Sequence, residues 1–152
     1  MPAASRSIVI EVPPAALMRV ITDWSSYPRF LPDMEETTLI RGQDGDWTVK
    51  FAVRIIRRVE YTLRLVREGE TRLRWSLVEG AFKSNDGGWD LEPVAGGAHT
   101  RATYTVDIDL GMFIPGSVLK TLLEHNLPAT LAAFKKRAES IQPSPGAPPS
   151  GP

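Results

Sequence analysis

In Trp47-Thr48-Val49-Lys50-Phe51-Ala52-Val53-Arg54-Ile55 the large apolar side chains fall on every second residue. A period of two marks a strand with one buried face. The same pattern returns downstream. Val59, Tyr61, Leu63 and Leu65 alternate with Glu60, Thr62 and Arg64, and Leu73, Trp75 and Leu77 alternate with Arg74 and Ser76. Trp89 and Leu91 flank Asp90, and Tyr104, Val106, Ile108 and Leu110 flank Thr105, Asp107 and Asp109. Gln43-Asp44-Gly45, Glu68-Gly69-Glu70, Asn85-Asp86-Gly87-Gly88 and Ala95-Gly96-Gly97 carry turn chemistry at hairpin spacing. The expectation is an antiparallel meander with one apolar face, interrupted at Glu79-Gly80 by a bulge or bend.

Upstream of this sheet, a first strand is expected near Arg6 to Val12. Pro13-Pro14 then opens a helix at the one place where a missing N–H costs nothing, and the helix runs Ala15 to Thr22. Ser25 to Phe30, stopped by Pro32, reads as a short second helix. From about Pro115 to Ile141 the period becomes 3.6: Leu119, Leu122, Leu123, Leu127, Leu131, Phe134 and Ile141 form one stripe, with Glu124, Lys135 and Glu139 roughly opposite. Pro128 projects away from the stripe, so its lost hydrogen bond bends the helix around whatever the apolar face covers. Strand, two short helices, strands and a long C-terminal helix give an α+β domain, with one helix lying across a curved antiparallel sheet.

Composition bounds the function. The chain has 152 residues, 42% of them apolar and 24% charged, near the globular averages of about 45% and 25%. One domain is therefore expected over residues 1–141. Residues 142–152, with five prolines between Pro143 and Pro152, read as a disordered Pro/Gly/Ser-rich tail. Eighteen basic residues balance 18 acidic ones, which argues against nucleic acid or an anionic membrane as partner of the whole surface. The absence of cysteine removes thiolate chemistry and disulfides. Met1 to Val12 lacks the apolar core of a signal peptide and no run could span a membrane, so the expected location is the cytoplasm.

Two motifs carry a resemblance. Tyr27-Pro28-Arg29-Phe30-Leu31-Pro32, and far downstream Val78-Glu79-Gly80-Ala81-Phe82-Lys83 with Gly88-Trp89-Asp90-Leu91-Glu92-Pro93, resemble the START-like (SRPBCC) polyketide cyclase and coenzyme Q-binding protein family over about residues 5 to 140. The resemblance implies a helix-grip fold, in which a seven-stranded sheet wraps the C-terminal helix around a hydrophobic cavity. It implies binding of quinones, lipids or polyketide chains, aromatase/cyclase activity in some members, and ribosome association in one toxin branch. The quinone-binding branch tends to follow its Tyr-Pro-x-Phe-Leu-Pro with Trp-Cys, where this chain has Asp33-Met34.

Candidate chemistry is sparse. His99 sits in a turn and His125 on the outer side of the helix, and no metal-ligand spacing, nucleophile elbow or phosphate loop occurs, so neither metal nor cofactor is expected. The inward aromatics are the stronger signal. Trp47, Phe51, Tyr61, Trp75, Trp89 and Tyr104 on the strands, with Leu119, Leu123, Asn126, Leu127 and Thr130 on the helix, are the expected ligand-binding residues. Aromatic walls offer large apolar area and a few N–H and O–H groups that fix polar atoms. Asn126 interrupts the apolar stripe, and a buried amide has to bond something, whether sheet, water or ligand. Catalysis would need a base, and among the strand carboxylates only Glu79 is placed to turn inward. Non-catalytic binding of a hydrophobic molecule is thus favoured over an aromatase/cyclase. Charge supplies a rival reading: Lys50 to Arg74 holds eight basic and three acidic residues. Arg54, Arg64 and Arg74 could dock weakly to a ribosome or protein, although a solvated face with cross-strand pairs is the simpler account.

Overall fold

The computed structural model describes residues 3–55, 57–111 and 115–141. β1 (Ala3–Ile10) is followed by α1 (Pro14–Ile21), a 3-10 turn at Trp24–Ser26 and α2 (Tyr27–Phe30). Six strands follow: β2 (Met34–Gln43), β3 (Asp46–Ile55), β4 (Arg57–Glu68), β5 (Arg72–Gly80), β6 (Ser84–Val94) and β7 (His99–Asp109). The chain then enters α3 (Gly116–Thr121), a π turn at Leu122–Asn126, and α4 (Leu127–Ile141). All seven strands form one antiparallel sheet in the order β1-β7-β6-β5-β4-β3-β2. This is the α+β helix-grip architecture, with the C-terminal helix against the sheet and two short helices after the first strand. The proline-rich segment 142–152 lies outside the described residues.

Pro14 occupies the first turn of α1, where its missing N–H is no loss, and Ala16, Leu17, Met18, Val20 and Ile21 are buried. The helix ends where the Thr22 hydroxyl donates to Met18 O at 2.8 Å. Asp23 then accepts from the Ser26 hydroxyl at 2.7 Å, closing the turn into α2. The only fully buried threonine among the described residues, Thr100, donates to Val12 O at 2.8 Å, so its burial leaves no polar atom unpaired.

Four features depart from the sequence reading. β1 begins at Ala3, earlier than expected, because Ser5 and Ser7 meet Thr105 and Thr103 across the ladder, and polar pairing hides its alternation. β2 shows no alternation, since it is an edge strand with nearly every residue exposed. Asn85-Asp86-Gly87-Gly88 is not a turn but the first half of β6; the connection is Ala81-Phe82-Lys83. The long helix is not one α-helix. Pro128 has no N–H to offer, and the chain answers with a π turn in which Leu127 N–H reaches back to Leu122 O. Pro128 is itself half-buried, so the irregularity is not confined to solvent.

The helix also uses both its faces. Leu127, Leu131, Phe134 and Ala138 are buried against the sheet, whereas Ile141 is 52% exposed and leaves the stripe. On the polar face, Lys135 Nζ donates to Val9 O at 2.9 Å and to Glu139 at 2.6 Å, while Glu11 N–H donates to Glu139 at 2.8 Å. That clasp ties α4 to the end of β1. Phe134 is the hub of the interior, edge-on to Tyr27 (5.4 Å), Phe30 (5.3 Å) and Trp89 (5.2 Å).

Candidate functional site

Between the sheet and the C-terminal helix lies a cavity of about 140 Å³. Strand alternation builds most of its wall. Phe51 of β3 stacks on Tyr61 of β4, its ladder partner, at 5.5 Å, and Tyr61 meets Phe82 at 4.9 Å. Trp75 of β5 lies across the sheet from Tyr104 of β7 at 5.2 Å, and Tyr104 is edge-on to its ladder partner Trp89 at 5.0 Å. The helix contributes Leu122, Leu123, Asn126, Leu127, Thr130 and Phe134. The segment around α2 closes the remaining side with Trp24, Tyr27, Leu31, Asp33 and Met34.

Two glycines in β6 let the neighbouring strands and the Trp75 ring close in. In β6, Gly87 lies opposite Trp75, and a Cβ there would sit 2.7 Å from the Trp75 ring and 2.3 Å from Thr105 O. Gly88 has the same constraint against Leu73 O at 2.3 Å. They are in the strand because β5, β6 and β7 approach too closely for a side chain.

Polar groups in the wall are few and mostly fixed. The Trp75 indole N–H donates to Asn85 Oδ1 at 3.1 Å in a fully buried bond. The Tyr27 hydroxyl donates to Ile21 O. Tyr61 and Tyr104 are enclosed by sheet and helix, so the surface they retain faces the cavity. Burial pushes both phenols well above their ordinary pKa, with the neighbouring Tyr104 adding to the effect at Tyr61, so both stay neutral donors throughout the physiological range. Asn126 Nδ2 donates to the Asp33 carboxylate, and Asn126 Oδ1 is buried with no partner among the described residues.

Nine of the eleven expected ligand-binding residues line this cavity: Phe51, Tyr61, Trp75, Trp89, Tyr104, Leu123, Asn126, Leu127 and Thr130. Trp47 does not; it sits at the start of β3, edge-on to Trp24 at 5.6 Å. Leu119 packs on the core outside the lining. His125 is exposed, His99 lies at the start of β7 away from the cavity, and Glu79 is exposed rather than turned inward. The carboxylate that does line the wall is Asp33, which sequence periodicity could not reveal because it lies in a loop. Trp24 and Asn85 were hidden for similar reasons, one in a 3-10 turn and one in a stretch that resembles a turn.

On the outer face the three arginines considered for docking are paired. Arg54 meets Glu35 at 2.7 Å, Arg64 holds Asp46 at 2.8 Å and Arg74 reaches Asp90 at 3.0 Å. Among the described residues, no helix is long and apolar enough to cross a membrane.

Comparison with known proteins places this geometry. The chain is 26% identical over 148 residues to the ribosome association toxin RatA of Escherichia coli K12, covering 93% of this chain and 89% of that protein. Its fold matches the Zhui aromatase/cyclase from Streptomyces sp. R1128 with a TM-score of 0.83 at 17% identity, covering 95% of this chain and 98% of the other. It also matches a STAR-related lipid transfer protein from Xanthomonas axonopodis with a TM-score of 0.75 at 18% identity, covering 90% and 85%. Residues 1–139 match the model of one family across nearly the whole helix-grip domain, and by that match the chain belongs to the polyketide cyclase / dehydrase and lipid transport family.

Proposed function

We propose that the protein binds and carries a compact hydrophobic molecule, aromatic or lipid-like, in the cytoplasm. The observation that carries this reading is the aromatic cavity itself, walled by Phe51, Tyr61, Trp75, Trp89 and Tyr104, with Asp33 the single carboxylate among the described residues of its lining. Its size supports a ligand of one or two rings, since a cavity of roughly 150 Å³ in an engineered core accepts benzene. Covering roughly 300 Å² of apolar ligand at about 25 cal/mol per Å² amounts to about 7.5 kcal/mol before association costs, so micromolar binding is the upper end. Titration with naphthalene derivatives, a short-chain quinone and a fatty acid should change the fluorescence of Trp75 and Trp89 saturably for at least one class. No saturable response to any of them would sink the proposal.

Two other readings have an observation behind them. Asp33 supplies the cavity carboxylate an aromatase/cyclase would need as a base, with the neutral Tyr61 and Tyr104 phenols as donors to a carbonyl. A carrier-bound polyketide that is cyclised by the wild type and not by Asp33→Asn would establish it. Similarity to RatA supports ribosome association. Replacing Arg54, Arg64 and Arg74 with Gln should then abolish co-sedimentation with ribosomes at low salt; unchanged sedimentation rules out that face.

A further inference from the structure

Asn126 is held in a way that leaves one of its atoms waiting. The Asp33 carboxylate can only accept a hydrogen bond, so the Asn126 amide must present Nδ2 to it, and the amide cannot flip without losing that bond. Oδ1 is thereby turned away from Asp33, buried, and without a donor among the described residues. A buried carbonyl in an apolar wall is normally paired. The other cavity atom in this position, Trp24 Nε1, has a partial substitute, because the indole lies edge-on to Tyr27, Trp47 and Phe51 and an N–H can point at an aromatic face. No such contact is available to a carbonyl oxygen. Asn126 is also the last residue of the π turn, and such turns recur at functional sites.

We infer that the cavity selects ligands that present a neutral hydroxyl to Asn126 Oδ1, with phenols and other hydroxylated aromatics as the ligand class. This rests on the cavity being the binding site. Asn126 and Asp33, the one residue with an unpaired acceptor and the other a carboxylate, both line the apolar space. A ligand whose polar atom only accepts, such as a quinone oxygen, meets lone pairs there. A carboxylate meets a like charge as well. A hydroxyl donates to Oδ1 and leaves the rings in the apolar part.

The test uses three naphthalene probes titrated into the whole protein by calorimetry: 1-naphthol, the near-isosteric 1-methylnaphthalene and 1-naphthoate. The informative quantity is the preference for 1-naphthol over 1-methylnaphthalene, compared between proteins, which cancels the different hydration of the two probes. Asn126→Leu should lower that preference about tenfold or more while 1-methylnaphthalene still binds. Asp33→Asn, at a partly exposed position that does not threaten folding, frees the Asn126 amide to flip. It should lower the same preference and strengthen 1-naphthoate binding. An unchanged preference in both variants overturns the hydroxyl selection and leaves the hydrophobic cavity standing. Failure of all three probes to bind the wild type overturns the cavity reading and this inference with it.

Discussion

Gly87→Ala tests how closely the sheet is packed beneath the Trp75 ring. The added Cβ would lie 2.3 Å from Thr105 O and 2.7 and 2.9 Å from two atoms of the Trp75 ring. The ring is not free to swing aside, because its indole N–H is bonded to Asn85 and its face is packed on Tyr104. The backbone oxygen cannot swing at all, so β7 has to move. Overpacking of this kind costs about 1 to 3 kcal/mol, and loss of the Trp75–Asn85 bond about 1 kcal/mol more. Against this, alanine restricts the unfolded chain and returns about 0.4 to 1 kcal/mol. The net loss is about 2 kcal/mol, which at a urea m-value of about 1.5 kcal/mol/M lowers the midpoint by roughly 1.3 M. The control is Gly116→Ala at the start of α3, where nothing lies within 4 Å; there the same change should be neutral or stabilise by a few tenths of a kcal/mol. If Gly87→Ala stays within 0.5 kcal/mol of the wild type while the control behaves as stated, Trp75 does not lie over Gly87 and the close approach of β5, β6 and β7 there is refuted.

Phe134→Ala, which removes the ring shared by Tyr27, Phe30 and Trp89, should cost about 3 to 5 kcal/mol by thermal or urea unfolding; a loss under 1.5 kcal/mol would show that the helix is not anchored there. Burial alone pushes the Glu139 pKa up, but hydrogen bonds from Lys135 and Glu11 N–H outweigh it and leave the carboxyl below its usual range. Its contribution is thus present above the unfolded-state pKa and lost as pH falls through the lower folded one; Glu139→Gln should flatten that stretch of the acid limb and cost about 1 kcal/mol at neutral pH, and an unaltered pH profile would count against the clasp. Asn126→Leu gives up a hydrogen bond to a carboxylate that water can reach, but it also removes a buried unpaired carbonyl worth about 1 to 3 kcal/mol, so ligand-free stability should stay within about 1 kcal/mol of the wild type. A loss above 2 kcal/mol would mean that the pair holds the fold together.

Alternation exposed β3, β4, β5, the second half of β6 and β7 because each has one buried and one solvated face, so Tyr61, Trp75, Trp89 and Tyr104 could be placed inward from sequence. Where a strand has no buried face the signal vanishes, as in β2, whose Leu39 and Ile40 are more than half exposed at the sheet edge. Asn85-Asp86-Gly87-Gly88 misleads for a different reason. Its residue types fit a turn locally, but they are there because neighbouring strands leave no room for side chains, which is a tertiary fact. The helical count of 100° per residue put Asn126 inward and His125 outward, as the structure has them, but it could not show the π turn between Leu122 and Asn126. Asp33 is the largest omission. A loop residue has no period, and the helix residue it holds is 93 positions away.

The two ends of the C-terminal helix differ in how they are held, and this predicts where the protein opens. α4 buries four side chains and is clasped to β1 by Lys135 and Glu139. The preceding α3 buries only Val118, and the π turn buries none. A segment opens more readily the less apolar surface its opening exposes, so the part of lower local stability is the one that carries Leu122, Leu123 and Asn126 on the cavity wall. A ligand can therefore enter by loosening that segment without releasing Phe134 or the clasp. Amides in residues 117–126 should exchange with deuterium at least tenfold faster than those in 130–138. A saturating ligand should slow the first set and leave the second nearly unchanged, because binding adds packing only where the wall was loose. Equal protection along the whole helix, with or without ligand, would show that it opens as one unit and that entry to the cavity needs global unfolding of the helix from the sheet.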